Sequence, residues 1–195
     1  MSEPTSESVW SLRADELLRR TASPEPTPGN GSIAPVSGAL GIGLVLMALA
    51  ITDEPPAALR ERGDALLSSV VATADRDVAV FRAVLDARGM PERDEAERAA
   101  RGDAIERATL TAAEVPLDLA TALRDALELA ADAEPLVKPA LVSDVRAGAD
   151  IIAGAARAAL RATELNLEVL ERSGSAAARS LRARHDALVS ALQRR

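Results

Sequence analysis

Hydrophobic residues recur along most of the chain at the spacing that places them on one face of an α-helix. The clearest stripe lies between Ala57 and about Arg88 and comprises Leu59, Leu66, Leu67, Val70, Val71, Val78, Phe81, Val84 and Leu85. The same pattern predicts helices over residues 8–22, 33–52, 92–114, 117–133, about 142–172 and 173–195. We therefore predict an all-α, bundle-like single domain of about six or seven helices over residues 1–195, with residues 1–7 frayed.

Segments rich in proline and glycine separate the predicted helices. Residues 23–32 contain three Pro and two Gly, and Ser173-Gly174-Ser175 predicts a hinge before the last helix. Val115-Pro116 predicts a kink or a restart, because proline lacks the N–H that a helix needs. Ser32 is the predicted N-cap of the following apolar helix. No linker is long enough to divide the chain into two domains.

Residues 33–51 form an uncharged run that is long enough to cross a membrane. Its flanks lack the basic and aromatic anchors of membrane-spanning helices, and it contains Pro35 and three glycines. Arg19-Arg20 precedes the run by too many residues for a twin-arginine export signal. We therefore predict a central buried helix in a cytoplasmic protein, and keep membrane association as the alternative.

The amino-acid composition argues against several classes of function. Lys and Arg number 23 against 30 Asp and Glu, and this net charge of -7 disfavours a nucleic-acid partner. The chain has no Cys and a single His, so thiolate chemistry and histidine-rich metal sites are excluded and no metal is expected. Aromatic residues make up 1% of the chain, and β-branched residues are few, which also favours helices over strands.

The turn before the apolar helix predicts a binding site. Pro28, Gly29, Asn30, Gly31 and Ser32 lead directly into a helix N-terminus. Glycine and asparagine let the backbone approach a ligand closely, and the first N–H groups of a helix attract anions. An ordinary loop with a helix cap explains the same residues without a ligand.

Five ordered segments resemble the cyclodeaminase/cyclohydrolase family, which includes the cyclodeaminase domain of formiminotransferase-cyclodeaminase and methenyltetrahydrofolate cyclohydrolases. The similarity extends over about residues 8–172. The segments are the turn Pro26 to Ser32 with its Gly/Ala-rich helix, Asp77-Val78-Ala79-Val80-Phe81, Arg101 to Ile105, Ala112 to Leu117, and a long helix that opens with Ser143-Asp144 and contains Asn166-Leu167.

This resemblance implies a homodimer that acts on the one-carbon unit of a tetrahydrofolate derivative, with no nucleic-acid or membrane partner. The family reactions require proton transfer and stabilisation of a cationic carbon, for which carboxylates are suited. Asp144 is our first candidate for the catalytic group and Asp77 the second, and Asn166 is expected to orient the substrate. Without a catalytic role, Asp144 is explained as a helix cap and Asp77 as part of a solvated helix face. Asn166 is then an interior amide with its hydrogen bonds satisfied.

Four departures from the family pattern support an alternative function. Asn30 replaces a glycine of the turn, Ala50 and Ala162 replace asparagines, and the acidic segment 53–57 replaces a Lys-rich stretch. The changes at Ala50 and Ala162 remove two amide hydrogen-bonding groups, and the change at 53–57 removes positive charge. The alternative is a non-catalytic helical dimer that retains the fold without the folate site.

The C-terminal helix carries two further features. His185 precedes Asp186, but adjacent helical residues do not face each other, so we assign no catalytic role to the pair. The arginine-rich segment 172–195 suggests a partner-binding helix or, more commonly, an exposed face or the rim of a dimer interface.

Overall fold

The computed structural model describes residues 8–24 and 26–194. In this part of the chain it contains six α-helices, two short 3₁₀ turns and no strand, which confirms the all-α prediction. The predicted fraying of residues 1–7 lies outside the described residues. The helices are α1 (Ala14–Thr21), α2 (Asn30–Ile51), α3 (Ala57–Arg88), α4 (Glu95–Ala133), α5 (Val142–Arg172) and α6 (Ala178–Gln193).

Helices α2, α3, α4 and α5 form a bundle in which each helix packs against two neighbours. The order around the bundle is α2, α3, α4, α5 and back to α2, and α6 covers part of α4 and α5. The core is almost entirely aliphatic and is built largely from Ala, Val, Leu and Ile. Small alanines let the helices approach closely, which explains how a chain with few aromatic residues fills its interior.

The apolar helix α2 is one wall of the bundle and is not surrounded on all sides. It is long and apolar enough to cross a membrane, but 56% of its most apolar window is buried inside the protein. Ile42, Val45 and Leu49 are fully buried, whereas Leu40 and Ile51 are exposed. Just over half of this window therefore belongs to the core, and Leu40, Met47 and Ile51 mark an exposed apolar stripe.

Several helix boundaries differ from the prediction. Helices α1, α4 and α6 begin at Ala14, Glu95 and Ala178 rather than at residues 8, 92 and 173. Gly29, rather than Ser32, is the N-cap of α2, and its carbonyl accepts hydrogen bonds from the N–H groups of Ser32 and Ile33 at 3.2 and 3.0 Å. Helix α4 runs through Pro116 without a restart. Proline costs a helix one hydrogen bond, but a neighbouring element can satisfy the freed carbonyl, and sequence periodicity does not reveal such a partner.

Helices α2 and α5 make backbone contact at two glycines. A Cβ on Gly41 would lie 2.8 Å from the carbonyl oxygen of Gly148, and a Cβ on Gly148 would lie 2.7 Å from that of Gly41. Gly43, by contrast, has open space at the Cβ position. The contact at Gly41 therefore determines the separation and register of the two helices.

Gly41→Ala is expected to destabilise the fold by about 1–3 kcal/mol, because the new methyl group cannot fit without separating α2 from α5. Gly102→Ala is the matched control, since an added Cβ at this exposed position of α4 meets nothing within 4 Å. The control should gain about 0.5–1 kcal/mol from helix propensity. Urea unfolding measures both, and unchanged stability of Gly41→Ala would contradict the close contact.

Candidate active site

A cleft of about 360 Å³ opens where the turn before α2 meets α3, α4 and α5. Its walls come from four separate segments of the chain, and most of the lining side chains are apolar. They are Pro26, Thr27, Gly29, Asn30, Gly31, Asp77, Val80, Phe81, Val84, Arg88, Ala112, Pro116, Ala162, Leu165 and Asn166. The cleft thus contains the turn, Asp77 and Asn166, three elements that sequence analysis singled out.

The predicted turn contributes in two ways. Gly29, Asn30 and Gly31 line the cleft, whereas Pro28 and Ser32 are buried behind it. Asn30 donates from Nδ2 to the carbonyl oxygen of Ala158 at 2.9 Å and so ties the turn to α5. The N–H of Ser32 donates to Gly29 O, whereas the N–H groups of Asn30 and Gly31 have no acceptor within the helix. The turn can therefore present backbone donors to a ligand.

Asp77 extends from α3 to the start of α2. The Ser32 hydroxyl donates to Asp77 Oδ2 at 3.3 Å, and a Cβ on Gly31 would overlap the Asp77 carboxylate. Burial raises the pKa of Asp77, and the Ser32 hydrogen bond offsets this only in part. Among the described residues no cation pairs with this carboxylate. A carboxyl with a raised pKa beside an apolar surface is suited to accept and return a proton.

Asn166 and Pro116 form one structural unit. Because Pro116 has no N–H, the carbonyl of Ala112, four residues earlier, lacks its helical donor. Asn166 supplies it, since Nδ2 donates to Ala112 O at 2.9 Å and also to Ala162 O at 3.1 Å. Both amide hydrogens are used, which leaves Oδ1 as the acceptor that Asn166 can offer to a ligand.

Two lining residues were missed by sequence analysis. Phe81 and Val84 were assigned to the buried stripe of α3, yet Phe81 is 36% exposed and both residues line the cleft. Arg88 lies about 16 Å along α3 from Asp77 and supplies positive charge at the far end of the cleft. The spacing Asp77, Val80, Phe81, Val84 and Arg88 is itself helical, so these residues share one face.

Asp144 does not lie in this cleft. It belongs to the first turn of α5, about 33 Å from Asn166 along the helix axis, and Leu141 is the N-cap. Asp144 and Ala162 are separated by eighteen residues, or five turns, so they occupy the same side of α5. Within one protomer the structure groups Asp77, Asn166 and the turn, and leaves Asp144 at the other end of the bundle.

The residues that depart from the family pattern also lie partly at the cleft and partly at the other end of the bundle. Ala162 lines the cleft beside Asn166, whereas Ala50 and residues 53–57 lie at the opposite end of α2. Among the described residues no group of three His, Asp or Glu side chains is arranged to hold a metal ion. The polar side chains of the cleft are one carboxylate, two amides, one hydroxyl and one guanidinium, and backbone groups of the turn add to them.

Asp77→Asn is expected to stabilise the protein at neutral pH. The folded pKa of Asp77 lies above that of the unfolded chain, so ionisation favours unfolding and wild-type stability falls as the pH rises through the folded pKa. The variant avoids this loss, and its advantage should disappear below about pH 4, where the unfolded chain is also protonated. Thermal unfolding across pH tests this, with the exposed Asp103→Asn as control; an equal gain there would contradict it.

Comparison with known proteins agrees with the fold and with the sequence motifs. The profile of the formiminotransferase-cyclodeaminase family matches residues 13–185. A methenyltetrahydrofolate cyclohydrolase from Methylorubrum extorquens is 34% identical over 164 residues, which cover 80% of this chain and 77% of that protein. The crystal structure of formiminotetrahydrofolate cyclodeaminase from Thermotoga maritima matches with a TM-score of 0.70 at 20% identity, over 95% of this chain and 96% of that chain. The resemblance stated from the sequence is thereby confirmed, and this chain belongs to the formiminotransferase-cyclodeaminase family.

Proposed function

We propose that the protein is a one-carbon folate enzyme and that it hydrolyses the methenyl bridge of a tetrahydrofolate derivative. The observation that carries the proposal is the Asp77 carboxylate, which lies in a largely apolar cleft with Ser32 as its hydrogen-bond donor. The cyclohydrolase relative at 34% identity favours hydrolysis over deamination. Cyclodeamination of a formimino group at the same site is the second outcome that the assay distinguishes.

Asp77 has two tasks in the proposed reaction. Its negative charge stabilises the cationic bridging carbon of the bound substrate, since the surrounding apolar surface weakens solvent screening. It then accepts a proton from the water that adds to this carbon, and returns a proton to the nitrogen that leaves when one carbon–nitrogen bond breaks. The raised pKa suits both transfers, because the group can be ionised before attack and protonated after it.

The other lining groups recognise the parts of the substrate that do not react. Phe81 offers an apolar ring face on which an aromatic ring can pack. Arg88, about 16 Å along α3 from Asp77, meets the carboxylate at the far end of an extended ligand. Asn166 Oδ1 accepts a hydrogen bond from a ring N–H. The acidic segment 53–57 stands where the family has a Lys-rich stretch. Arg88 supplies positive charge that this segment lacks.

We also propose a homodimer that uses the exposed stripe of α2 and α5. Leu40 is 64% exposed and Ile51 50% exposed, although α2 carries no charged residue. On α5, Ile151 is exposed and Gly154 has open space at its Cβ position. A second copy of the chain is the matching apolar surface, and burying these side chains in it favours association. The enzyme is then soluble and cytoplasmic, with α2 covered by its partner.

This dimer gives Asp144 a place in the reaction. If the two α5 helices cross antiparallel at Gly154, a residue ten positions before the crossing lies opposite one ten positions after it. Asp144 of the partner subunit is then level with Glu164, next to Ala162 and Asn166 of the cleft. Each site would combine Asp77 of one subunit with Asp144 of the partner subunit. This arrangement reconciles the family motifs at both ends of the bundle.

Asp77→Asn is expected to lower kcat for methenyltetrahydrofolate hydrolysis by about 10²- to 10⁴-fold while the fold is retained. Gly31→Ala should also lower kcat, because its methyl group displaces the carboxylate without removing it. Loss of the methenyl absorbance follows hydrolysis, and ammonia release from a formimino substrate reports deamination. Asp103→Asn serves as the control and should retain wild-type activity. A folded wild-type dimer that turns over neither substrate would contradict the proposal and favour the non-catalytic alternative.

Mixing two inactive variants tests the shared site. Asp77→Asn and Asp144→Asn chains, unfolded together and refolded, should regain about a quarter of wild-type activity, because half of the dimers are mixed and each mixed dimer has one intact site. Neither variant should regain activity when refolded alone. Full activity of Asp144→Asn by itself, or no recovery in the mixture, would overturn the composite site.

A further inference from the structure

A second pocket of about 450 Å³ lies between α5 and α6, on a different face of α5 from the cleft. Leu160 and Leu192 form its apolar floor, and Val189 forms part of the α6 wall. It shares no lining residue with the cleft that contains Asp77. Its volume is in the range of small-molecule sites.

One end of the pocket is closed by polar contacts between the two helices. Glu164 Oε2 lies 3.2 Å from Nε2 of His185, and Glu164 Oε1 accepts a hydrogen bond from Arg182 Nη1 at 2.7 Å. His185 Nδ1 lies 3.0 Å from Asp186 Oδ1. These contacts engage the Glu164 carboxylate, the acidic group of the lining, so its charge is offset within the protein.

The rim of the pocket carries two arginines without counter-charges. Arg157 and Arg161 are four residues apart on α5 and therefore neighbours on its surface, where like charges repel. Among the described residues neither side chain forms an ion pair or a hydrogen bond. Four other arginines of α5 and α6 each pair with a carboxylate, namely Arg146, Arg172, Arg182 and Arg184. Arg179 of α6 has no such pair with any described residue but lies outside the pocket. Within the described part of the chain, the two guanidinium groups at the pocket rim thus have no carboxylate partner.

We propose that this pocket binds an organic anion with an apolar body, of the class of medium-chain monocarboxylates. The two guanidinium groups provide fork-shaped donors for one carboxylate and relieve their mutual repulsion when it binds. The leucine floor and Val189 bury the hydrocarbon chain. The guanidinium pair and the apolar floor together favour a ligand with a negative charge at one end and an apolar chain at the other.

The pocket does not contain the groups assigned to the folate chemistry, since Asp77, Asn166 and the turn before α2 lie outside its lining. Its Glu164, which the proposed dimer places near the shared site, is held by His185 and Arg182. Three of the pocket's lining residues, Val189, Leu192 and Gln193, lie beyond residue 185, where the match to the family ends. Ligand binding here can fail while folate turnover continues, and the converse also holds. Part of the pocket wall thus lies outside the segment by which the family is recognised.

Isothermal titration calorimetry of the full chain with octanoate tests the proposal. We expect one octanoate per chain, and binding at least about tenfold tighter than that of acetate or of 1-octanol, because each lacks one of the two matching parts. Arg157→Gln/Arg161→Gln should weaken octanoate binding by about tenfold or more and leave 1-octanol binding unchanged. Val189→Glu, which adds a carboxylate inside the pocket, should weaken octanoate binding as well.

Arg60→Gln/Arg179→Gln is the matched control, since it removes the same charge at exposed positions outside the pocket. It should bind octanoate like the wild type. Circular dichroism establishes that α6 remains folded in each variant. Absence of octanoate binding, equal affinity for acetate, or unchanged affinity in the Arg157/Arg161 variant would overturn the proposal.

Discussion

The backbone contact between Gly41 of α2 and Gly148 of α5 is the constraint on which the arrangement of this protein depends. Each glycine lies so close to the carbonyl oxygen of the other that no side chain fits between the helices. Such a contact permits little sliding, because displacement would press the neighbouring side chains against backbone. It sets the level at which the turn before α2 meets α5, where Asn30 reaches the carbonyl of Ala158. The position of the cleft follows from this register.

A second constraint is the carbonyl that Pro116 leaves without a helical donor. A buried carbonyl without a hydrogen bond is costly, so a helix that carries an internal proline needs an outside partner. Asn166 fills this role across the interface between α4 and α5, at 2.9 Å from Ala112 O. The same side chain then has its remaining oxygen beside the cleft. Proline and asparagine therefore join the two helices and build one wall of the site together.

Sequence periodicity and breakers predicted much of the fold. The bounds of α3, the long helix α5 and the turn at Gly174, with φ of +75°, agree with the structure, because each depends on local signals such as an apolar stripe or a glycine in the left-handed region. The continuity of α4 through Pro116 depends on Asn166, which is fifty residues away in sequence. Local patterns contain no information about such a partner.

The candidate site was predictable in part, and the division has a physical cause. The turn and Asp77 carried recognisable motifs, and the structure brings both to one cleft. Arg88 and Val84 carried none, because a charged residue and an apolar residue on a helix look alike whether they face solvent or a cleft. Asp144 also matched a family motif, yet it lies at the other end of α5. Sequence resemblance identifies residues that matter to a family without stating which of them share a site.

The surroundings of Asp77 argue against the ordinary explanation of a solvated helix face. A solvated carboxylate needs no particular neighbour, whereas this one occupies the space that a side chain at position 31 would fill. It is bonded to a buried serine, and its pKa is raised by burial. Burial of the ionised carboxylate costs stability relative to an exposed aspartate, because the group loses hydration without gaining a cation among the described residues, and the Ser32 hydrogen bond offsets this cost only in part. Gly31 leaves the space that the Asp77 carboxylate occupies. A buried, unpaired carboxylate that lowers stability is typical of a functional site rather than of a packing position.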